Sequence, residues 1–326
     1  MRRRKRPTPP PSPLAQRSGI DAVRVRMPAT PAERTVRDHL VARLPAPADV
    51  IDAMIAQGAF VTADGTPVTP DTPYEIGGNV WFHRDLAPEP PVPYDVEVVY
   101  RDEHIVIADK PHFLATTPRG SHVTETALAR LRRDLGIERL SPAHRLDRLT
   151  AGLVLFVVRP EDRGRYQTLF RDRRVTKKYE AVAAYDPQVT LPVTLRSRIE
   201  KAPGRLAAFE VPGAEPNAQS HIELADHKGD LGLYHLTPHT GRTHQLRVHM
   251  NRVGLPILGD PLFPETVEPT PAPDDFRRPL QLLSRTLEFT DPVTGREHHF
   301  MSRRELTAWT AYEKWNREPR QEPQEP

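Results

Sequence analysis

"SPAHRLDRLTAGLVLFV", residues 141–157, sets one acid, Asp147, between Arg145 and Arg148 and then runs into the longest clean apolar stretch of the chain, Leu153 to Val158. An apolar run of this length bounded by turn residues predicts a buried strand, and it is far too short to span a bilayer. A lone carboxylate therefore stands at the lip of a core element, with an arginine on either side.

Upstream, "VEVVYRDEHIVIADKP" predicts a hairpin whose second strand delivers Lys110 and Pro111 to a loop. "TETALARLRRDLG" predicts an amphipathic helix, with Leu128, Leu131 and Leu135 on one face and Gly136 beyond its end. Downstream we expect a helix from Pro160 to Arg173 and the strand "KKYEAVAAY" (177–185). The strands "SHIELAD" and "LGLYHLT" come next, then "GRTHQLRVHMNRVG" as a basic helix closed by Gly254. Strands that follow one another directly, with helices between some of them, indicate an α+β fold: a mixed, mostly antiparallel sheet with flanking helices.

Before this region, "TPAERTVRDHLVARLP" and "PADVIDAMIAQGAFV" read as two short helices, and the alternating segment after them as strands joined by tight turns. The expected organisation is a basic disordered arm over 1–30, a small α/β unit over 31–86 and a proline-rich linker over 87–93. The main domain follows over 94–312, then a disordered tail over 313–326.

The chain has 326 residues and a net charge of only +3, so average composition does not single out a nucleic-acid binder. The distribution is more telling. Arg2, Arg3, Arg4, Lys5, Arg6 and Arg17 fill the first twenty residues without an acid, whereas "ETVEPTPAPDD" at 265–275 gathers acids. Such basic arms often touch phosphates. The absence of cysteine excludes disulfides, thiolate catalysis and cysteine-ligated zinc. No apolar segment follows the basic start as a signal peptide requires, so we expect a cytoplasmic protein that does not enter membranes.

Several chemistries find no support. No phosphate-binding or dinucleotide-binding glycine loop is present. His244 and His249 are not at the spacing that puts two imidazoles on one helical face, so no metal is expected. Ser141 and Ser220 lack a nucleophile-elbow context. What remains is Asp147 in "HRLDRLTAG", Tyr179 in "KKYEAV" and the block "GRTHQLRVH" at 241–249.

Those three blocks, in that order, resemble the RluA-type pseudouridine synthases, and "DKPHFLATTPRG" (109–120) resembles the family's earlier lysine-proline block. The resemblance covers about residues 94 to 300. It implies the pseudouridine synthase catalytic fold for the main domain and isomerisation of uridine to pseudouridine in ribosomal or transfer RNA, with no cofactor. RNA is the expected partner, and a monomer the expected state. By resemblance Asp147 is the catalytic carboxylate, Tyr179 stacks on the extruded uracil, and Arg247 is the ion-pair partner of Asp147, with Arg242 as second choice. A carboxylate in a pocket closed by a base is desolvated, and an arginine in contact holds it charged. Arg145 is assigned to the RNA, and His144, Lys110, Arg242, His244, Gln245 and His249 to RNA or substrate binding. Thr150 and Gly152 are structural, the glycine leaving room for a close turn before the strand.

The chain departs from the family pattern at Ala151, where serine is common, at Phe263, where tyrosine is usual, and at Leu283 and Ser284, where a histidine-alanine pair is common. Taken one at a time, each feature also has a plain reading: a capping aspartate, a strand tyrosine, a solvated basic helix around Arg247 and His249, loop charge at Lys110. The arginines Arg163, Arg165, Arg171, Arg173 and Arg174 read equally well as a solvated face or an RNA contact. The alternative to an enzyme is a catalytically silent RNA-binding or chaperone protein on the same scaffold, whose hallmark would be a lost aspartate or tyrosine. The N-terminal unit weakly resembles a small RNA-binding domain named after a ribosomal protein.

Overall fold

A computed structural model of the chain describes residues 10–30, 33–264 and 274–316. The first nine residues of the expected arm, the acidic stretch 265–273 and the tail beyond 316 lie outside the described residues. The chain divides into two compact units, Met1–Glu89 and Pro90–Pro326. The division falls inside the expected linker.

The small unit begins earlier than expected. Strand β1, Val23–Arg26, lies within the stretch read as a disordered arm. It pairs antiparallel with β2, Asn79–Phe82, Val23 opposite Phe82 and Arg26 opposite Asn79. The "VRVR" alternation turns Val25 into the core while Arg24 and Arg26 stay exposed; the density of arginines had hidden that period of two. Helices α1, Val36–Arg43, and α2, Ala48–Ala56, complete the unit. Thr35 caps α1 by accepting from the Asp38 amide, and Arg37 grips Asp52 of α2 at 2.6 and 2.8 Å. Leu40, Ile51, Phe60, Val68 and Val80 form the core. The expected tight-turn strands before β2 reduce to isolated bridges of Val61 with Pro67 and Trp81.

In the large unit, β3 (Glu97–Arg101) and β4 (Ile105–Lys110) form the expected hairpin, followed by α3 (Ala127–Leu135). Thr126 caps α3 at its start, and Gly136 ends it in the left-handed region at φ 65. The short β5 (Ser141–Pro142), β6 (Ala151–Val157), α4 (Arg163–Arg171) and the long β7 (Val175–Ala184) come next. They lead to β8 (Val193–Ser197), β9 (Ile199–Glu200), β10 (Phe209–Glu210), β11 (Ala218–Lys228) and β12 (Leu231–Pro238). The chain closes with α5 (Gln245–Arg252), β13 (Leu282–Thr290), β14 (Glu297–Met301) and two single-turn helices, α6 (Thr307–Thr310) and α7 (Tyr312–Trp315).

The main sheet runs β3-β4-β6-β13-β7-β12-β11-β8, with β14 also on β13 and β5 also on β6. Its pairings are antiparallel except β6 with β13, which is parallel. The opening stretch thus supplies a central strand, and every residue of β6 is buried. Val154 and Phe156 join α3 and α5 in the main core, while Leu153, Leu155 and Val157 meet Tyr166 and Leu169 of α4 on the opposite face. A strand covered on both faces has no polar side to alternate with, which is why its sequence is continuously apolar. Each such side chain contributes about 1.5–3 kcal/mol relative to leaving it in water.

The β6/β13 contact also explains Gly152. Its φ is 110, and a Cβ placed there would sit 2.3 Å from the Ser284 carbonyl oxygen and 2.6 Å from its nitrogen. The glycine permits backbone contact between strands, a stronger demand than the turn expected from sequence. At the other end, Trp315 is buried and its indole donates to the Pro279 carbonyl at 3.2 Å. The order of the chain therefore continues past 312, where a disordered tail was expected.

Candidate active site

Three elements surround one cleft of about 810 Å³: the 144–150 loop before β6, the start of β7 with the end of α4, and the 237–247 segment that leads into α5. The cleft is within the volume range of ligand-binding pockets. Among the described residues that line it, Asp147 is the only carboxylate, whereas Arg145, Arg171, Arg173, Lys177, Arg242 and Arg247 bring positive charge. Low-dielectric walls lined by one sign of charge focus potential on an anionic ligand.

Asp147 is half-buried, and its carbonyl accepts from the Thr150 amide at 3.1 Å in the turn that starts β6. Its carboxylate makes no side-chain hydrogen bond and no ion pair within 4.0 Å among the described residues. The expected partner is occupied elsewhere. Arg247 forks onto Asp260, Nε to Oδ2 at 2.7 Å and Nη2 to Oδ1 at 2.5 Å, and both side chains are sealed from solvent. Phe263 lies under the guanidinium at 5.4 Å. Arg247 also lines the cleft. Asp260 is the partner of Arg247 that sequence reasoning missed. It stands three residues before Phe263, in a stretch read only for the phenylalanine.

The neighbouring arginines separate. Arg145 is exposed and lines the cleft, while Arg148 grips Asp274 at 2.6 and 2.9 Å. Tyr179 is only 7% exposed and lines the cleft wall. Burial pushes its hydroxyl up to about 12, with Ser284 opposing and the charge of Asp147 adding to the rise. Ser284 faces Tyr179 across β13/β7 beside a bulge, and in the bulge Arg285 reaches Glu180 at 2.5 Å. Bulges of this kind re-aim side chains next to functional sites.

His144 lines the cleft with its ring stacked on Phe170 at 4.2 Å, and its Nε2 accepts from the Leu155 amide at 3.1 Å. Burial, then the charge of Lys177, pushes it down to about 3, so it is neutral at ordinary pH with its proton on Nδ1. Lys177 is itself lowered by burial. His244 begins α5 in the left-handed region at φ 56, accepts the Ala208 amide on Nδ1 at 3.3 Å, and is lowered by burial against the opposing charge of Asp147. Arg242 uses Nε on the Asn217 carbonyl at 3.1 Å and lines the cleft.

Three expected RNA contacts are corrected. Lys110 is fully buried and donates to the carbonyls of Pro111 and Leu114, both at 2.8 Å, and of Arg148 at 3.3 Å. Burial, then the charge of Arg304, holds its ammonium well below the usual lysine range. His249 points into the core, sharing a hydrogen bond of 3.0 Å with Ser197, and burial pushes it down to about 4. Gln245 is buried and ties the "GRTH" turn together, accepting from Thr240 at 2.6 Å and the Arg242 amide at 3.1 Å while donating to Gln219 and Ser220. The solvated-face reading of Arg247 and His249 also fails, since α5 is buried from Gln245 to Met250. Thr150 lines the cleft, and Gly152 sits in backbone contact with Ser284 outside it.

No group of three or more His, Asp or Glu side chains among the described residues is placed to hold a metal, and none of their helices is long and apolar enough to cross a membrane.

The fold is shared with solved pseudouridylate synthases. Human RNA Pseudouridylate Synthase Domain Containing 4 superposes with a TM-score of 0.53 at 22% identity, over 67% of this chain and 92% of that one. A family profile described as RNA pseudouridylate synthase matches residues 104–252. The dual-specificity RNA pseudouridine synthase RluA of Haemophilus influenzae is 30% identical over 221 residues, covering 63% of this chain and 92% of that protein. The ribosomal large subunit pseudouridine synthase D of Pseudomonas aeruginosa is 27% identical over 75% of this chain and 77% of its own length. The mitochondrial tRNA pseudouridine(32) synthase of Saccharomyces cerevisiae is 30% identical over 57% of this chain and 41% of its own. The profile and these relatives define an RNA-modifying isomerase. The chain belongs to the RluA-type RNA pseudouridine synthase family.

Proposed function

We propose that this pseudouridine synthase acts on uridines of ribosomal or transfer RNA, with Asp147 as its catalytic carboxylate. The observation that carries the reading is that, among the described residues, Asp147 is the only acid lining a strongly cationic cleft and has no ion-pair partner for its carboxylate. The relatives named for ribosomal and for transfer RNA support both substrate classes.

The target nucleotide leaves its stack and enters the cleft. The bond from ribose C1′ to N1 breaks, the base turns, C1′ joins C5, the C5 proton departs and N1 is protonated. An ionised carboxylate beside the ribose and base serves this rearrangement. Tyr179, its hydroxyl held neutral by burial, offers a flat ring to the uracil and a hydroxyl for proton movement at C5. Arg247, which lines the cleft, meets the nucleotide, and Arg145 grips phosphate or fills the gap in the stack. Arg173, Lys177 and Arg242 take the flanking backbone. The small unit, whose exposed Arg24 and Arg26 make no ion pair among the described residues, serves as an accessory RNA-binding module. The enzyme acts as a monomer in the cytoplasm.

The test is tritium release from RNA labelled at C5 of uridine. Wild type releases tritium, and Asp147→Asn binds the same RNA without release; equal turnover by the two proteins would refute the assignment. Mapping pseudouridines in total RNA from a deletion strain identifies the substrate.

A further inference from the structure

Among the described residues Asp147 makes no side-chain hydrogen bond of its own, so its position is set through the backbone on either side of it. Apart from the turn bond of the Thr150 amide to the Asp147 carbonyl, that backbone is held from one direction. Thr116, buried at 3% exposure, donates its hydroxyl to the Leu146 carbonyl at 2.8 Å and accepts the Leu146 amide at 3.2 Å. His112 Nδ1 donates to the Leu149 carbonyl at 2.7 Å, and Lys110 reaches the Arg148 carbonyl between them. Lys110 ends β4, and His112 and Thr116 follow it directly, 30 to 38 residues before the groups they hold. Burial pushes His112 down to about 4, so the ring is neutral, and with a carbonyl as its partner the Nδ1 nitrogen carries the proton.

We propose that Thr116 and His112 are positioning residues for the reaction, fixing the peptides of Leu146 and Leu149 and thereby the placement of Asp147 against the flipped nucleotide. The inference rests on the reading of Asp147 as the catalytic carboxylate. Neither side chain lines the cleft, so their effect on RNA passes through the loop they hold. Thr116 serves both backbone polar groups of one buried residue, Leu146, and a methyl in place of its hydroxyl leaves both without that partner. The loop then relaxes, and a displacement of the reacting group by about 1 Å costs on the order of 100-fold in rate.

The experiment compares Thr116→Val, which keeps the shape, with Thr116→Ser, which keeps the hydroxyl, using full-length protein and C5-tritiated RNA. Single-turnover rate and RNA dissociation constant are measured on each. Thr116→Val is expected to lose about 10- to 100-fold in rate with its Kd for RNA within twofold of wild type, and Thr116→Ser to return to within about threefold of the wild-type rate. A folded Thr116→Val at the wild-type rate overturns the proposal, as does a rate loss matched by an equal loss of RNA affinity. Should Thr116→Val fail to fold, His112→Phe reads the same loop from its other end; an unchanged rate in that folded variant overturns the proposal equally. Asp147→Asn runs alongside. Turnover by Asp147→Asn sinks the reading beneath the proposal, whereas a dead Asp147→Asn beside a fully active Thr116→Val sinks the proposal alone.

Discussion

The ion pair of Arg247 with Asp260 offers a direct way to separate what the tertiary structure dictates from what the family pattern suggested. Both side chains are almost wholly withdrawn from water, at 2% and 0% exposure, and they meet through two hydrogen bonds of 2.7 and 2.5 Å. Asp260 Oδ1 also accepts the Leu262 amide at 2.9 Å. Removing one partner of such a pair leaves an uncompensated buried charge and costs about 3–5 kcal/mol. Asp260→Asn and Arg247→Met should each lose about that much in urea unfolding at pH 7, as lower midpoints with little change in the slope on denaturant. Because either change removes the same interaction, the double variant should be no less stable than the worse single, a coupling of about 3 kcal/mol. The parallel cycle of Arg247→Met with Asp147→Asn should show coupling below about 0.5 kcal/mol, as for residues that share no contact. A larger coupling of Arg247 to Asp147 than to Asp260 would refute the structural assignment and restore the expected pair.

Four further outcomes follow from the same geometry. Gly152→Ala forces a Cβ to 2.3 Å from a backbone oxygen at φ 110, so it should destabilise by about 2–5 kcal/mol through strain and overpacking; a loss below 1 kcal/mol in urea titration would contradict the β6/β13 contact. His249 has its folded value depressed from 6.5 to about 4, so the unfolded chain binds the extra proton first as pH falls. The stability it contributes above pH 6.5 is lost as pH drops toward 4, up to about 3 kcal/mol, and His249→Gln should flatten thermal stability measured across that window. Trp315→Ala should cost about 3–5 kcal/mol although it lies in a stretch read from sequence as a tail, which calorimetry on the full chain can check. Arg173→Ala and Arg242→Ala should each weaken RNA binding uniformly across sequences and reduce the salt slope by about one, measured by filter binding from low to physiological salt; an unchanged slope removes that residue from the RNA path.

The sequence by itself determined the elements whose cause is local. The run from Leu153 to Val157 had to be a buried strand because no polar face interrupts it, and α3 had to end at Gly136 because only a left-handed residue closes it there. The family resemblance carried by Asp147, Tyr179 and the "GRTHQLR" block likewise singled out residues that line one cleft. Where a period was masked by charge, as in β1, or where a single buried tryptophan fixed the end of the chain, sequence reading stopped short. The tertiary structure alone decided which guanidinium meets which carboxylate. Residue type states that Arg247 needs an acid, but Asp147 and Asp260 satisfy that need equally on paper, and the packed approach of the segment after α5 selects Asp260. The same holds for Lys110, whose charge suggested phosphate and whose buried ammonium instead braces the loop of Asp147, because hydrogen-bond partners are assigned by distance across the fold and leave no period in the chain.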